Sequence, residues 1–413
     1  MNRQLIPRMP RILIAFLALA ASLANASGTA PTGPAFAEID RHFRIMLEAE
    51  RVPGAAWTVV RDGRIVHASG HGVRALDDQR AVTPETVFRT ASVSKTFAAQ
   101  LTGQLVAEGA LRWQDPIQRF VPQFTLARPE HAQRLTIEHL LGQSAGIVPN
   151  AYDNMLNAGR SLEQILPKFS EVAPMCEPGA CYTYQNVLFS LVEPAIEASA
   201  GRPYEELLRE RLFEPLDMRQ ASVGLAGFDA SGNRASPHVK VTRNRWVPVG
   251  VNENYYRVAP AAGVNASALD LGKWLVAHMG ERPDVIRPEL VRELTRKRVR
   301  TARELRRKGW RDLLSDAHYG LGWRIYTVDG HDLITHSGWV RGFVAQIAYS
   351  PDHDTGLALL LNAESGAIND LSLHFWRQVM ATEPPMIAQQ QPAPTSKKAE
   401  AGTSETAIVS APD

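Results

Sequence analysis

The spacing of apolar residues changes three times along this chain: helical at first, then alternating, helical again through the middle, and alternating once more near the end. Across residues 36–51, Ile39, Phe43, Met46 and Leu47 fall on one side of a helix. Residues 54–60 and 65–70 then read as strands around Arg61-Asp62-Gly63, where Asp-Gly marks a hairpin turn. Residues 92–110 return to helical spacing, with Val93, Phe97, Leu101 and Leu105 every four positions and Gly109 near the stop. From about 82 to 312 the pattern is mostly helical. It includes a capped start at Ser267-Ala268-Leu269-Asp270. Strands return at 319–326, 332–335, 343–349 and 356–361, separated by turns at Asp329-Gly330 and Ser350-Pro351-Asp352, and a helix over 368–380 closes the pattern. Strands at both ends with helices between them predict an α+β fold. One antiparallel sheet is built from both termini, flanked by helices, and a large helical lobe is inserted.

The ends of the chain fall outside this pattern. Arg3, Arg8 and Arg11 precede the apolar run 12–21, and Ala24-Asn25-Ala26 has the form of a cleavage site. Residues 1–26 therefore read as a secretory signal, too short for a membrane span, and the expected location is the periplasm with no stable membrane anchor. The formal net charge is +2 for the whole chain. Losing those three arginines makes it slightly negative, which argues against a nucleic-acid partner. Residues 27–383 form the expected folded domain. Residues 384–413, rich in Pro, Ala, Gln, Ser and Thr, are expected to be disordered. The two cysteines, Cys176 and Cys181, flank Glu177-Pro178-Gly179-Ala180. They bridge only if the turn brings their Cα atoms within about 7 Å, and otherwise remain thiols. Residues 296–311 hold nine basic residues and one acid, Glu304. Such a run is ordinarily a solvated face, the alternative being a contact to anionic envelope polymers.

Ser92 and Lys95 are three apart, so on a helix they share a face. Near the positive end of the helix dipole and partly out of water, Lys95 would favour its neutral form and could accept the serine proton. Alone, this pair equally describes a surface serine and a solvated lysine. Tyr184-Gln185-Asn186 lies at a loop-to-helix junction and can supply a phenol and an amide, although a core tyrosine with a capping asparagine is the commoner pairing. Tyr152-Asp153-Asn154 has the same spelling but precedes no strongly apolar helix, and it ranks below Tyr184. His336-Ser337-Gly338 ends a strand and is followed by Trp339 and Arg341. Its glycine would let a substrate backbone lie along the strand edge. His278-Met279-Gly280 reads instead as a helix end.

Ser-x-x-Lys, Tyr-x-Asn and His-x-Gly, in that order, resemble the three motifs of the class C β-lactamase and D-alanyl-D-alanine carboxypeptidase superfamily of serine hydrolases. Phe88-Arg89-Thr90-Ala91-Ser92, Asp115-Pro116, Leu140 to Gly146 and Ala261-Ala262-Gly263-Val264 extend the likeness over residues 36–381. The resemblance implies Ser92 as nucleophile, Lys95 as its base partner and Tyr184 as proton shuttle. Asn186, His336, Gly338, Trp339 and Arg341 would then bind substrate, with the backbone amides of Ser92 and Trp339 holding the oxyanion. Class C enzymes have lysine where this chain has His336. A pH dependence between about 5 and 8 is therefore expected if that histidine meets a substrate carboxylate.

The expected function is an exported serine hydrolase that forms an acyl-enzyme with β-lactams. A D-alanyl-D-alanine carboxypeptidase, an esterase or a penicillin-binding protein with little turnover are the alternatives. A small-molecule substrate, a monomer and no cofactor are expected. His67, His71, His318, His331 and His353 form no metal signature.

Overall fold

The computed structural model describes residues 36–242 and 245–382. The expected signal at 1–26 and the expected tail at 384–413 lie outside the described residues. Helix α1 (Phe36–Ala49) leads into β1 (Gly54–Arg61), β2 (Arg64–Ala75) and β3 (Asp78–Ala81). The later strands are β4 (Val299–Arg300), β5 (Asp316–Tyr319), β6 (Arg324–Val328), β7 (His331–Val340), β8 (Phe343–Ser350) and β9 (Thr355–Leu361). Among the described residues these nine form one sheet in the order β3-β2-β1-β9-β8-β7-β6-β5-β4. The two ends of the chain meet at the antiparallel pair of β1 and β9, where Trp57 lies opposite Leu359.

Alternation along the central strands builds two cores, one on each face of the sheet. Trp57, Val59, Leu357 and Leu359 pack with Ile39, Phe43 and Leu47 of α1 and with Phe375 and Trp376 of the closing helix α4 (Ala367–Met380). On the other face, Ala56, Val60, Ala358 and Leu360 meet α2 (Ser94–Ala107), α3 (Ala268–Val276) and the helical lobe. The lobe fills the chain between β3 and β4. Gly272 lets α3 press against β1, because a Cβ there would sit 2.6 Å from the Thr58 methyl.

Three local expectations differ from the structure. Helix α2 is not amphipathic: Thr96, Gln100 and Thr102 are buried along with its apolar residues, since the sheet and the lobe enclose it. Thr96 and Thr102 satisfy their hydroxyls on the carbonyls of Val93 and Ala98, whereas the Gln100 amide is buried with no hydrogen-bond partner among the described residues. The strand expected over 319–326 is two strands, split at Gly320 to Trp323. Gly322, at φ +73°, turns the chain there, and a Cβ on it would lie 2.6 Å from the Lys95 carbonyl. The strand expected at 332–335 runs on to Val340, so His336-Ser337-Gly338 lies inside β7.

Candidate active site

The Ser92 turn precedes α2 rather than opening it. Residues Ala91–Val93 form a 3-10 turn, and α2 begins at Ser94. Ala91 sits at φ +49°, a left-handed conformation that costs a non-glycine residue about 1–2 kcal/mol. Side chains on either side of it hold the turn in place. Ser94 Oγ donates to the Ala91 carbonyl at 2.6 Å and accepts from the Val264 amide at 2.9 Å, while Thr90 Oγ1 donates to the Val264 carbonyl at 2.8 Å.

Lys95 is fully buried one helical turn beyond Ser92. Its Nζ lies 3.2 Å from Ser92 Oγ, 2.8 Å from Asn186 Oδ1 and 3.0 Å from the Ala261 carbonyl. Two of these partners can only accept. A neutral amine has two hydrogens for them and directs its lone pair at the serine hydroxyl. Burial pushes the Lys95 amine well below its ordinary range, with Asp153 opposing that shift and Arg324 adding to it. The neutral base inferred from the spacing thus has geometric support.

Tyr184 and Asn186 are delivered by a clamp that the chain order does not suggest. Gln143, in a left-handed conformation, accepts from the Gln185 amide at 2.6 Å and donates to the Gln185 carbonyl at 3.1 Å. The Asn150 amide donates to the Tyr184 carbonyl at 2.7 Å. Just upstream, Cys176 and Cys181 are disulfide-bonded with their Cα atoms 6.3 Å apart, so the turn does bring them within reach. Burial raises the Tyr184 phenol, while its contact with Ser92 and the nearby Arg324 act the other way. The rival Tyr152 donates its hydroxyl to the Lys168 carbonyl at 2.6 Å and stacks edge-on with Phe169, away from Ser92. Tyr184→Phe is therefore expected to slow acylation by about 10²–10⁴-fold, the usual worth of a general acid–base group. Tyr152→Phe should leave acylation within about 2-fold of the parent, a ~0.4 kcal/mol margin typical of a surface change. Equal losses in single-turnover kinetics would count against Tyr184 as the shuttle.

The third motif supplies an open strand edge. β6 begins at Arg324, opposite Thr335, so among the described residues 336–340 of β7 have no β6 partner. Counting back from the Val340–Phe343 turn pair, Ser337 and Trp339 direct their backbone N–H and C=O away from β8 into that edge. Gly338 abuts the nucleophile turn, where a Cβ would lie 2.3 Å from the Thr90 carbonyl and 2.7 Å from the Ser92 nitrogen. Its missing side chain thus serves the approach of β7 to Ser92, and the open edge is lined by its neighbours.

The cleft so formed holds about 230 Å³, bounded by Ser92, Tyr184, Asn186, Tyr255, Ser337, Gly338 and Trp339, with Arg324 and Arg307 also on its wall. A larger depression of about 590 Å³ at the C-terminal end of α2, by Glu108, Arg211 and Asp284, contains no serine or cysteine. Arg324 lies 5.6–5.8 Å from the ring centroids of Tyr182, Tyr184 and Tyr319 and donates to Glu304 at 3.0 Å. These neighbours hold its guanidinium firmly charged against the pull of burial. Arg307 bonds Asn369 and faces Glu304 at 3.7 Å.

Residues 39–375 match the family model described as Beta-lactamase. The chain belongs to the β-lactamase family. It is 29% identical over 326 residues to penicillin-binding protein 4 of Amycolatopsis lactamdurans, covering 78% of this chain and 83% of that protein. It is 25% identical over 348 residues to an unguisins hydrolase of Aspergillus campestris, covering 81% of this chain but only 62% of that relative's length. In structure it resembles the octameric penicillin-binding protein homologue from Pyrococcus abyssi, with a TM-score of 0.75, 23% identity and coverage of 85% and 78%. That likeness shows the fold. The octamer described for the Pyrococcus protein lends no support to a monomer here.

Within this β-lactamase-family cleft, two expected substrate contacts are placed elsewhere. His336 is fully buried behind the wall, its Nδ1 3.0 Å from the Ser337 carbonyl and its Nε2 3.0 Å from the Tyr319 hydroxyl. If Nδ1 donates, Nε2 accepts from the phenol and the neutral ring is satisfied. Burial, Arg324 and Lys95 all push its pKa well below the ordinary range, so a change of its charge between pH 5 and 8 has no basis in this geometry. Arg341 sits exposed in the turn between β7 and β8 and does not line the cleft. The cations at the cleft are Arg324 and Arg307. A strand pattern gives the first no distinction, and the second was hidden in the basic run. Others of that run form ion pairs, Lys297 with Asp332 at 2.7 Å, Arg298 with Glu138 at 3.0 Å and Arg300 with Asp316 at 3.1 Å. Asp153, from the discounted second tyrosine motif, reaches the site through Asn186, whose Nδ2 donates to its Oδ2 at 2.7 Å.

Elsewhere, His67 faces Asp40 at 3.1 Å and His331 faces Asp352 at 2.8 Å. Among the described residues no group of three or more His, Cys, Asp or Glu side chains is placed to hold a metal. Among them, too, no helix is long and apolar enough to cross a membrane.

Proposed function

We propose that this β-lactamase-family hydrolase is an exported serine hydrolase in which carboxylate-bearing acyl compounds, β-lactams foremost, acylate Ser92. The carrying observation is the three-way setting of Lys95, whose two carbonyl acceptors leave its lone pair for the serine hydroxyl. Lys95 takes the proton as Ser92 Oγ attacks the carbonyl, and the Ser92 and Trp339 amides hold the developing oxyanion. Tyr184 returns a proton to the departing nitrogen or oxygen, and water then releases the acyl group. Arg324 and Arg307 receive the substrate carboxylate, a part first expected of His336 and Arg341. Export is supported by the leader-like start of the sequence and by the Cys176–Cys181 disulfide, which suits an oxidising compartment. A D-alanyl peptide is the second reading, favoured by the open edge of β7, on which a peptide backbone can lie.

A paired comparison tests the carboxylate reading. Because Arg324 also bonds Glu304 and acts on Lys95 and Tyr184, the deciding quantity is a ratio: Arg324→Ala should raise KM for an anionic β-lactam by roughly 10–100-fold more than KM for a neutral ester, the worth of a charge-assisted hydrogen bond. Arg324→Lys, which keeps a charge, should fall between. Equal losses on both substrates would make Arg324 structural and remove the preference for carboxylates.

A further inference from the structure

Asp153 opens a short helix, Asp153–Asn157, in a loop that folds back on the Tyr184 segment through the Asn150 amide. Its Oδ2 accepts from Asn186 Nδ2 at 2.7 Å, and Asn186 Oδ1 accepts from Lys95 Nζ at 2.8 Å. A carboxylate cannot donate, so the bond fixes which end of the Asn186 amide faces the lysine. With Asp153 ionised, only the carbonyl end can point at Lys95. The Tyr255 hydroxyl, from the turn Asn254–Val258, approaches the same carboxylate. Asp153 does not line the cleft.

We infer that Asp153 is a positioning residue for the base: it orients Asn186 and supplies the negative charge toward which Lys95 becomes protonated. The inference rests on the reading of Ser92 as nucleophile. When the Ser92 Oγ–H bond breaks and Oγ bonds the acyl carbon, the proton resides on Lys95 Nζ; as the bond to the leaving nitrogen or oxygen breaks, Tyr184 gives that atom its phenol proton and is reprotonated by Lys95. A buried ammonium then forms beside Arg324, which disfavours it. His336 is neutral, Tyr184 is un-ionised, and the Ala261 carbonyl and the Phe189 ring carry no net charge. Burial raises the Asp153 carboxyl, while Asn186, Lys95 and the Tyr255 hydroxyl favour its ionised form; it is thus the group facing the lysine that can carry the negative charge. Removing its charge lowers the affinity of Lys95 for a proton, and activity, which needs the neutral amine, then begins at lower pH.

The test reads Lys95 directly. The full chain is labelled with 13Cε-lysine, the Lys95 signal is identified by its loss in Lys95→Met, and its titration is followed from pH 4 to 11. Asp153→Asn keeps an acceptor for Asn186 but loses the charge, and should lower the Lys95 midpoint by about one unit or more. Asp153→Glu should keep it near the parent value, and provides a second variant should Asp153→Asn fold poorly. Asp153→Ala should also slow acylation about 10-fold beyond Asp153→Asn, because Asn186 loses its orientation. An unchanged midpoint in folded Asp153→Asn would overturn the inference. So would a parent Lys95 that stays neutral down to pH 4. The titration needs no substrate, so failure of Ser92 labelling would sink the proposed function and leave this result to stand or fall alone.

Discussion

Ser92→Ala is expected to abolish covalent labelling by a β-lactam and to cut hydrolysis by roughly 10⁴–10⁶-fold, as removal of a serine nucleophile does elsewhere. The size follows from what remains. Lys95, Tyr184 and the amides at positions 92 and 339 would all persist, but none can form the acyl bond. Stability should change little, because among the described residues the hydroxyl meets only Lys95 at 3.2 Å and the Tyr184 phenol, whereas the turn is held by Ser94 and Thr90. Equal melting temperatures with a collapsed rate would separate chemistry from folding. Persistent adduct in Ser92→Ala would move the nucleophile elsewhere.

Lys95→Met should cost about 10²–10⁴-fold in acylation through loss of the general base. It should also remove the acidic limb of the pH profile. With Lys95 in place, the working form is the neutral amine, so the rate rises as pH climbs through its lowered pKa and is flat above it. Burial is the largest cause of that lowering, so the limb belongs below the ordinary lysine range. Two effects on stability oppose each other. Methionine spares the desolvation of an amine but leaves Asn186 Oδ1 and the Ala261 carbonyl without a donor, at about 1–3 kcal/mol each if nothing replaces it. A melting temperature lowered by a few degrees is compatible with both. Acylation within 10-fold of the parent at neutral pH would remove Lys95 from the role of base.

The parts of this site that sequence revealed are the local ones. Ser92 and Lys95 are one helical turn apart, so their meeting follows from spacing alone. Tyr184 and Asn186 are two apart on a segment whose turn chemistry is visible, and the nearly continuous apolar runs of β1, β8 and β9 suit a sheet covered on both faces. What stayed hidden depends on distant parts of the chain meeting. Asp153 reaches Asn186 because the loop at Asn150 hangs on the Tyr184 carbonyl. Arg324 faces the cleft because β6 stops opposite Thr335, and a polar residue in a strand otherwise reads as solvent-facing. Arg307 looked like one more charge in a solvated run. His336 was assigned the right strand but the wrong surroundings, since spacing does not reveal that Tyr319 and the neighbouring carbonyl enclose its ring. Helix α2 misled for a related reason: period alone does not say how many sides of a helix are covered.

The most direct test of Ser92 as an acylated nucleophile is intact-protein mass spectrometry of the protein with benzylpenicillin, quenched at a series of times and followed by peptide mapping. The expected result is one penicilloyl group per chain, on the peptide carrying Ser92. A transient adduct would indicate β-lactam turnover, and a persistent one a penicillin-binding protein with slow release. The contradicting result is an adduct mapped to another residue, or none at any time with folded protein and saturating drug.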